Sequence, residues 1–297
     1  MPLPITAESG LNKMKKTIAV LMALIMVFLL TVIGFAQEDE KLNYLILGDS
    51  IAHGSGVLNS DEACYGRIVA DTNGYNYKNR GISGYNTSDL NNYLDNEDVK
   101  ADVAWADIIS ISIGGNDFIN HNVFNILFMA LAISLGNTSS CERTVAGAKA
   151  NFYSIIDKIK AINPDATILV QTLYNPGYPL IGGPLETGLT MLNGSFISYL
   201  DENPDAFTVV DIHETMKGES MFIALDTIHP NAHGNEIIAR EILKTLKELG
   251  LGENTEPVIN HPGVSELAIP VYWIYSAITN SSIPAAESAL IPEAPAA

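Results

Sequence analysis

Two short segments of the chain contain the residue types that serine-dependent hydrolysis requires. Ser50 follows Gly48 and Asp49, and a serine hydroxyl becomes a good nucleophile only when a neighbouring base removes its proton. Asp226 and His229 lie three residues apart, so on a turn the carboxylate can accept from the imidazole and fix its tautomer. Ser50, His229 and Asp226 are therefore candidates for a nucleophile, a base and the acid that orients the base.

Two further turns offer hydrogen-bond donors for the negative charge that develops on a carbonyl oxygen during acyl transfer. Asn116 lies in a Gly-Gly-Asn-Asp segment and has a side-chain amide that can donate. Gly84 can offer its backbone N–H without a side chain that would hinder a substrate. With the backbone N–H of Ser50, these groups are candidates for an oxyanion hole.

Each of these segments also has an ordinary structural interpretation. Gly-Asp-Ser is a common loop, and an Asp three residues before a His can cap a turn while the His is solvated. Asparagine and glycine both favour turns because they tolerate left-handed backbone conformations. A single segment is therefore weak evidence for catalysis, and the four have to be weighed together.

Four other titratable residues adjoin the same segments. We expect Asp117 to brace the turn that contains Asn116, and His233 to belong to the first turn of the last helix. His53 and His121 are candidates for lining the same pocket. The sequence has no CxxC motif or cluster of His and Cys that would predict a metal site.

Strand and helix patterns explain how distant polar segments can meet. Short apolar runs predict strands at 43–47, 108–113, 166–172 and 207–211, and the segment that starts at 75–77 and leads into a glycine turn at 79–84 predicts a fifth. Helical patterns alternate with them, at 61–70, 87–94, 144–162 and 235–249. This alternation predicts a parallel sheet with helices on both faces, and ligand sites in such sheets lie outside the carboxyl ends of the strands.

The four polar segments resemble the SGNH (GDSL) hydrolase superfamily, over most of residues 44–245. They occur in the family order as Leu47-Gly48-Asp49-Ser50, Asn79-Arg80-Gly81-Ile82-Ser83-Gly84, Gly114-Gly115-Asn116-Asp117 and Asp226-Thr227-Ile228-His229-Pro230. The resemblance implies an α/β protein with a three-layer α/β/α, flavodoxin-like fold. It also implies that the protein needs no cofactor and cleaves esters through an acyl-enzyme.

The resemblance also implies a role for each candidate residue. Ser50 would be the nucleophile, His229 the general base and acid, and Asp226 the residue that orients His229. The backbone N–H groups of Ser50 and Gly84 and the side chain of Asn116 would form the oxyanion hole. The chain departs from the family pattern in the apolar segment 118–135, which we interpret as either a core helix or a lid over an apolar substrate site.

Carboxylic ester hydrolysis is the leading functional hypothesis. The acyl group is either small, as on acetylated cell-wall carbohydrate, or longer, as in a lipid-like ester, and the apolar segment 118–135 leans toward a lipid-like or aryl ester. One alternative is acyl transfer to a sugar hydroxyl with the same residues. Another is a surface binding protein with an incidental hydrolase fold, which the complete set of candidate residues argues against.

The first 36 residues are typical of an export segment. Three lysines precede an almost uninterrupted apolar run at 17–35, and small residues stand at positions −3 and −1 of a cleavage site before Gln37. We expect 1–36 to be either a cleaved signal peptide or an uncleaved membrane anchor. Either form makes the domain at 37–252 secreted or extracytoplasmic, with membrane contact only through 17–35.

Charge and composition limit the partners and the remaining architecture. The formal net charge of −18 repels phosphate backbones, so nucleic acid is not an expected partner. Cys64 and Cys141 can either pair in an exported protein or remain separate buried thiols. Residues 253–297 are rich in Pro, Ala and Ser and are expected to be a partly disordered tail, in which 271–275 can dock on the domain.

Overall fold

The computed structural model describes residues 14–26, 41–119, 123–176, 182–217, 219 and 221–264. The chain divides into two units, Met1–Lys41 and Leu42–Ala297. Within the first unit, residues 14–26 are helical. No helix of the described ranges is long and apolar enough to cross a bilayer. The predicted cleavage site, His121 and the docking segment 271–275 lie outside the described residues.

The second unit contains a five-stranded parallel sheet, as the strand–helix alternation predicts. Its strands are β1 (Asn43–Gly48), β2 (Asn76–Gly81), β3 (Ile108–Ser112), β4 (Thr167–Gln171) and β5 (Thr208–Val210). The order across the sheet is β2-β1-β3-β4-β5, and every pair is parallel. The chain leaves β1 toward one edge and returns to its other side as β3. A crevice therefore opens outside the carboxyl ends of these two strands.

Eleven described helices of this unit surround the sheet. They are α1 (Ser50–His53), α2 (Ser60–Ala63), α3 (Tyr65–Asn73), α4 (Thr87–Tyr93), α5 (Glu97–Trp105), α6 (Gly115–Ile119), α7 (Val123–Ser134), α8 (Ser139–Ile162), α9 (Gly182–Ile197), α10 (Ile212–Lys217) and α11 (Ala232–Glu248). The helix predicted at 61–70 is divided into α2 and α3, because Cys64 has an extended backbone. Helices α5, α6, α9 and α10 were not predicted.

The central strands are buried on both faces, and the side chains alternate between two hydrophobic layers. Leu45 and Leu47 of β1 pack into one layer with α4, α5, α8 and α9. Tyr44 and Ile46 pack into the other with α3, α10 and α11. This arrangement confirms the three-layer α/β/α fold, and it explains why β1 reads as a continuous apolar run.

Helix α8 shows how the amphipathic pattern positions one outer layer. Its predicted stripe, formed by Phe152, Ile155, Ile156 and Ile159, is fully buried. Phe152 stacks on Phe196 of α9 with ring centroids 4.1 Å apart. The two helices therefore pack against each other, and Phe196 also lies beside Gly114, which follows β3.

The packed part of the domain continues past residue 252, where we expected it to end. The backbone N–H of Val258 donates to Thr72, and that of Val264 donates to Asn59. Leu58 in turn donates its N–H to the carbonyl of Val264. The described part of the tail, residues 253–264, thus runs along the second unit, beside α3 and the loop before α2.

Candidate active site

The turn after β1 places Ser50 at the carboxyl edge of the sheet. Gly48 has a φ of +143°, and a Cβ there would lie 2.0 Å from the carbonyl oxygen of Ser112, so the close approach of β1 and β3 requires glycine. The buried Asp49 side chain then accepts from the backbone N–H of Ile51 at 2.9 Å and caps α1. Ser50 is the first residue of that helix and is 8% exposed.

The loop before α11 holds Asp226 and His229 in one local arrangement. Asp226 Oδ1 accepts from the backbone N–H groups of Ile228 and His229, at 3.0 and 2.9 Å. Its other oxygen lies 2.5 Å from His229 Nδ1. Asn231 caps α11 by accepting from Gly234 at 2.9 Å. Asp226 therefore orients the imidazole of His229, and Asn231 fixes the start of α11 directly after it.

The two segments meet although 179 residues separate them in the sequence. His229 Nε2 lies 2.7 Å from Ser50 Oγ. Together with the contact to Asp226, this gives a continuous hydrogen-bonded chain from carboxylate to imidazole to hydroxyl. The predicted convergence of Ser50, His229 and Asp226 is thus present in the structure.

Hydrogen bonds keep Asp226 ionised against the effect of burial. Burial of this carboxyl opposes ionisation, but the backbone N–H groups of His229 and Ile228 and the His229 side chain donate to it, and the net effect lowers its pKa. An ionised carboxylate accepts from Nδ1–H. This tautomer leaves Nε2 free to accept the proton of Ser50.

Gly84 and Asn116 line the same cavity as Ser50. Gly84 has a φ of +87°, a conformation that favours glycine, and no atom lies within 4 Å of the position of a Cβ. Asn116 donates one N–H to the carbonyl of Tyr85 at 2.9 Å. This bond ties the turn after β3 to the loop after β2, so the two candidate donors are held beside each other.

Asp117 braces these two loops, as we expected. Its carboxylate accepts from the backbone N–H of Thr87 at 3.0 Å and from the Thr87 hydroxyl at 2.7 Å. Asn151 of α8 donates to the same hydroxyl at 3.1 Å. Thr87, which the sequence indicated only as a helix start, therefore links the candidate oxyanion donors to the long helix α8.

The remaining candidates lie at the edge of the site or away from it. His233 belongs to the first turn of α11, as predicted, and burial lowers its pKa. His53 is exposed at the end of α1 and is not among the residues that line the cavity, so that prediction is wrong. The reason is that α1 is a single turn that directs its last residue to solvent.

Cys64 and Cys141 are separate buried thiols, so the disulfide alternative is wrong. Cys64 precedes α3 and contacts the Tyr77 hydroxyl. Cys141 lies in α8, within the layer on the other face of the sheet. The sheet itself separates the two sulfur atoms. Among the described residues, no group of three or more His, Cys, Asp or Glu could hold a metal ion.

An apolar cavity of about 280 Å³ opens beside Ser50. Three helices supply most of its wall: α6, α7 and α9 contribute Phe118, Ile119, Met129, Ala130, Ile133, Pro184, Leu185, Gly188 and Leu189. On the outer side of α7, Phe128 and Leu131 are 69% and 57% exposed. Helix α7 therefore contributes one side to the cavity wall and turns the other side to solvent, an arrangement that agrees with the lid alternative. Met129 and Ile133 also pack against the hydrophobic core, so the core-helix alternative stays open.

Sequence reasoning missed α9, although this helix forms much of the cavity wall. Its apolar residues Leu185, Leu189, Leu192 and Phe196 recur at helical spacing. Glycines at 183, 188 and 194 obscure that pattern, because glycine disfavours helix interiors. The periodicity was the signal that could have identified the helix.

The layered fold and the order of the four polar segments place the chain in the SGNH hydrolase superfamily. A model of the GDSL-like lipase/acylhydrolase family matches residues 46–237, and the chain belongs to this family. Membership supports a hydrolase that acts on ester bonds in general.

Similar proteins and structures agree with this assignment. The Bacillus subtilis (strain 168) protein named "Uncharacterized protein YpmR" is 23% identical over 230 residues, which cover 73% of this chain and 87% of that protein. The lipase Lip_vut3 from a goat rumen metagenome has a TM-score of 0.57 at 21% identity, over 72% of this chain and 99% of its own. TesA has a TM-score of 0.50 at 20% identity, over 70% and 99%. At these identities, the two structures show the shared fold alone.

Asp49 is expected to make stability depend on pH. Burial raises its pKa from 3.8 to about 7, so between these values the folded protein retains a proton that the unfolded chain releases. Stability therefore falls as pH rises from about 4 to 7. Asn at this position can cap α1 without a charge, so Asp49→Asn should raise the free energy of unfolding at pH 8, by roughly 4 kcal/mol at most.

Urea unfolding of wild type and Asp49→Asn at pH 4 and pH 8 measures this effect. The two proteins should differ little at pH 4. A difference of the same size at both pH values would contradict the assignment of the effect to the buried carboxylate.

Proposed function

We propose that the protein hydrolyses carboxylic esters with Ser50 as nucleophile and His229 as general base and acid. The observation that carries this proposal is the 2.7 Å contact between His229 Nε2 and Ser50 Oγ, with Asp226 on the other ring nitrogen. Such an arrangement is the one that nucleophilic catalysis by serine requires.

The proposed reaction proceeds in two halves. Ser50 Oγ attacks the ester carbonyl carbon while its proton passes to His229 Nε2, and the carbonyl electron pair becomes an oxyanion. Collapse of this intermediate breaks the bond to the alcohol, which leaves with the proton from His229. Water then repeats the sequence on the acyl-enzyme, with His229 as base, and releases the acid and free Ser50.

Three donors are proposed to stabilise the oxyanion. They are the backbone N–H groups of Ser50 and Gly84 and the side-chain amide of Asn116. The amide nitrogen of Asn116 carries two hydrogens, and only one of them is needed for the bond to Tyr85. The second can donate to a substrate oxygen in the cavity that the three residues line.

The cavity favours a lipid-like or aryl ester over acetylated carbohydrate. Away from Ser50 its walls are apolar, and the Tyr174 hydroxyl is occupied because it donates to the carbonyl of Ile228 at 2.5 Å. Sugar hydroxyls that enter such a cavity would lose their hydrogen bonds to water without replacement. An acyl chain would instead gain from leaving water.

A panel of aryl esters from acetate to palmitate, together with acetylated sugars, tests the proposal. We expect turnover of the aryl esters, with kcat/KM higher for butyrate and hexanoate than for acetate, and little turnover of the sugars. Wild-type protein that hydrolyses no ester of the panel would contradict ester hydrolysis. Turnover confined to acetylated sugars would contradict the lipid-like substrate alone.

Export of the domain remains a separate proposal, supported by the lysines before the apolar run 17–35. A signal peptide would give secreted protein that begins at Gln37, whereas an anchor would keep the domain on the outer side of a membrane. Mass spectrometry of the amino terminus, after cell fractionation, distinguishes the two. Full-length protein confined to the cytoplasm would contradict both.

A further inference from the structure

Gly188 stands in the middle of α9, where glycine is an unfavourable residue. Glycine loses more backbone entropy than alanine on entering a helix and contributes no side chain to packing. Its φ does not lie in the positive range, so the backbone conformation does not require glycine. A different reason is needed for the missing side chain.

Close packing does not supply that reason. A Cβ on Gly188 would lie 3.5 Å from Cys141 Sγ and 3.5 Å from Phe118 Cζ, which are ordinary van der Waals distances. Gly234 provides the contrast, because a Cβ there would lie 2.4 Å from the carbonyl oxygen of Phe222. Alanine therefore fits at position 188, whereas it would collide at position 234.

The location of Gly188 indicates what its missing side chain leaves open. Gly188 is buried and lines the cavity that also contains Ser50 and His229. Its neighbours one residue after and three residues before it, Leu189 and Leu185, line the same cavity. A side chain at position 188 would point toward Phe118, which belongs to the cavity wall as well. The absent side chain therefore adds to the free volume of the cavity.

We propose that Gly188 determines the length of the acyl chain that the site accepts. This inference rests on the proposed ester hydrolysis and assigns the apolar cavity to the acyl half of the substrate. The far carbons of the chain occupy the space beside Gly188, between Phe118 of α6 and Leu185 and Leu189 of α9. The substrates are thus esters whose acyl group is longer than acetyl.

The size of the expected effect follows from the burial of methylene groups. Each additional methylene that enters an apolar wall should raise kcat/KM about fourfold. The rise should stop when the chain fills the cavity. A side chain at position 188 uses the same space, so it should move this limit to a shorter chain.

The test compares Gly188→Ala and Gly188→Leu with Gly194→Ala. Gly194 lies on the same helix but is exposed, with no atom within 4 Å of a Cβ position, so it is a matched control for helix propensity. Values of kcat/KM are measured for aryl esters from acetate to palmitate, and melting temperatures are measured for all four proteins.

Gly194→Ala should have the wild-type chain-length profile. Gly188→Ala should have an unchanged or higher melting temperature, acetate turnover within about threefold of wild type, and at least a fourfold loss for the longest chains that wild type favours. Gly188→Leu should shift the optimum further. The alanine variant alone decides the question if the leucine variant does not fold.

Two results would overturn the inference without affecting ester hydrolysis. One is an unchanged chain-length profile in Gly188→Ala. The other is an equal loss for acetate and for long chains, since a merely structural role lowers all rates together. Failure of the proposed function looks different, because wild type itself would then hydrolyse no ester of the panel, and the inference would fall with it.

Discussion

Replacement of Ser50 with alanine should lower kcat for an aryl ester by on the order of 10³-fold or more. The substitution removes the hydroxyl that lies 2.7 Å from His229 Nε2 and that forms the acyl-enzyme in the proposed reaction. The side chain is small and the cavity is preformed, so substrate binding should change little. Steady-state kinetics with a short-chain aryl ester measures the loss.

The matched control for this variant is Ser154→Ala. Ser154 lies in α8 and donates to Asn91 at 3.0 Å, so its replacement removes a hydroxyl and one hydrogen bond away from the cavity. We expect the control to retain wild-type turnover. A Ser50→Ala protein with the melting temperature and the turnover of wild type would overturn the assignment of the nucleophile.

Replacement of Asn116 with alanine should lower kcat by roughly 10²–10³-fold, with a much smaller change in KM. The hydrogen bond from an oxyanion donor to the substrate oxygen is stronger in the transition state than in the ground state. Removal of the donor therefore lowers kcat. The substitution also leaves the carbonyl of Tyr85 without the amide that donates to it. That loss is structural and should appear as a lower melting temperature.

Asn203→Ala separates these two effects. Asn203 donates its side-chain amide to the carbonyl of Tyr199 at 3.3 Å, at the end of the α9 region and away from the cavity. This control removes the same kind of hydrogen bond without a proposed catalytic contact. If Asn116→Ala loses no more kcat than Asn203→Ala, the side chain of Asn116 has no part in the oxyanion hole.

The strands were the elements that the sequence predicted best. Residues 108–113 contain four isoleucines at alternating or adjacent positions, and all five residues of β3 are buried. A strand that is buried on both faces needs apolar residues at nearly every position. Such a strand can therefore be recognised from its own residues, without knowledge of its neighbours in the sheet. The polar segments after the strands could be identified in the same way, because each one begins where the run of buried apolar residues stops.

The helices around the cavity were predicted less well. Helix α9 is interrupted by glycines, and α7 is apolar on nearly every side, so neither has a clear amphipathic stripe. The position of each helix depends on its contacts with the other residues that line the cavity. Helix α7 has Met129 and Ile133 on the cavity side and Phe128 exposed, a division that the sequence of the helix alone does not specify.

The chemical groups, their order along the chain and the strand ends on which they stand follow from the amino-acid sequence alone. Local patterns are sufficient for this, because apolar periodicity and turn residues act over a few positions. Three features required the three-dimensional structure: the 2.7 Å distance between atoms of residues 50 and 229, the separation of Cys64 from Cys141, and the apolar cavity that three helices line. Such distances depend on how whole elements pack across the sheet, and no local pattern contains that information.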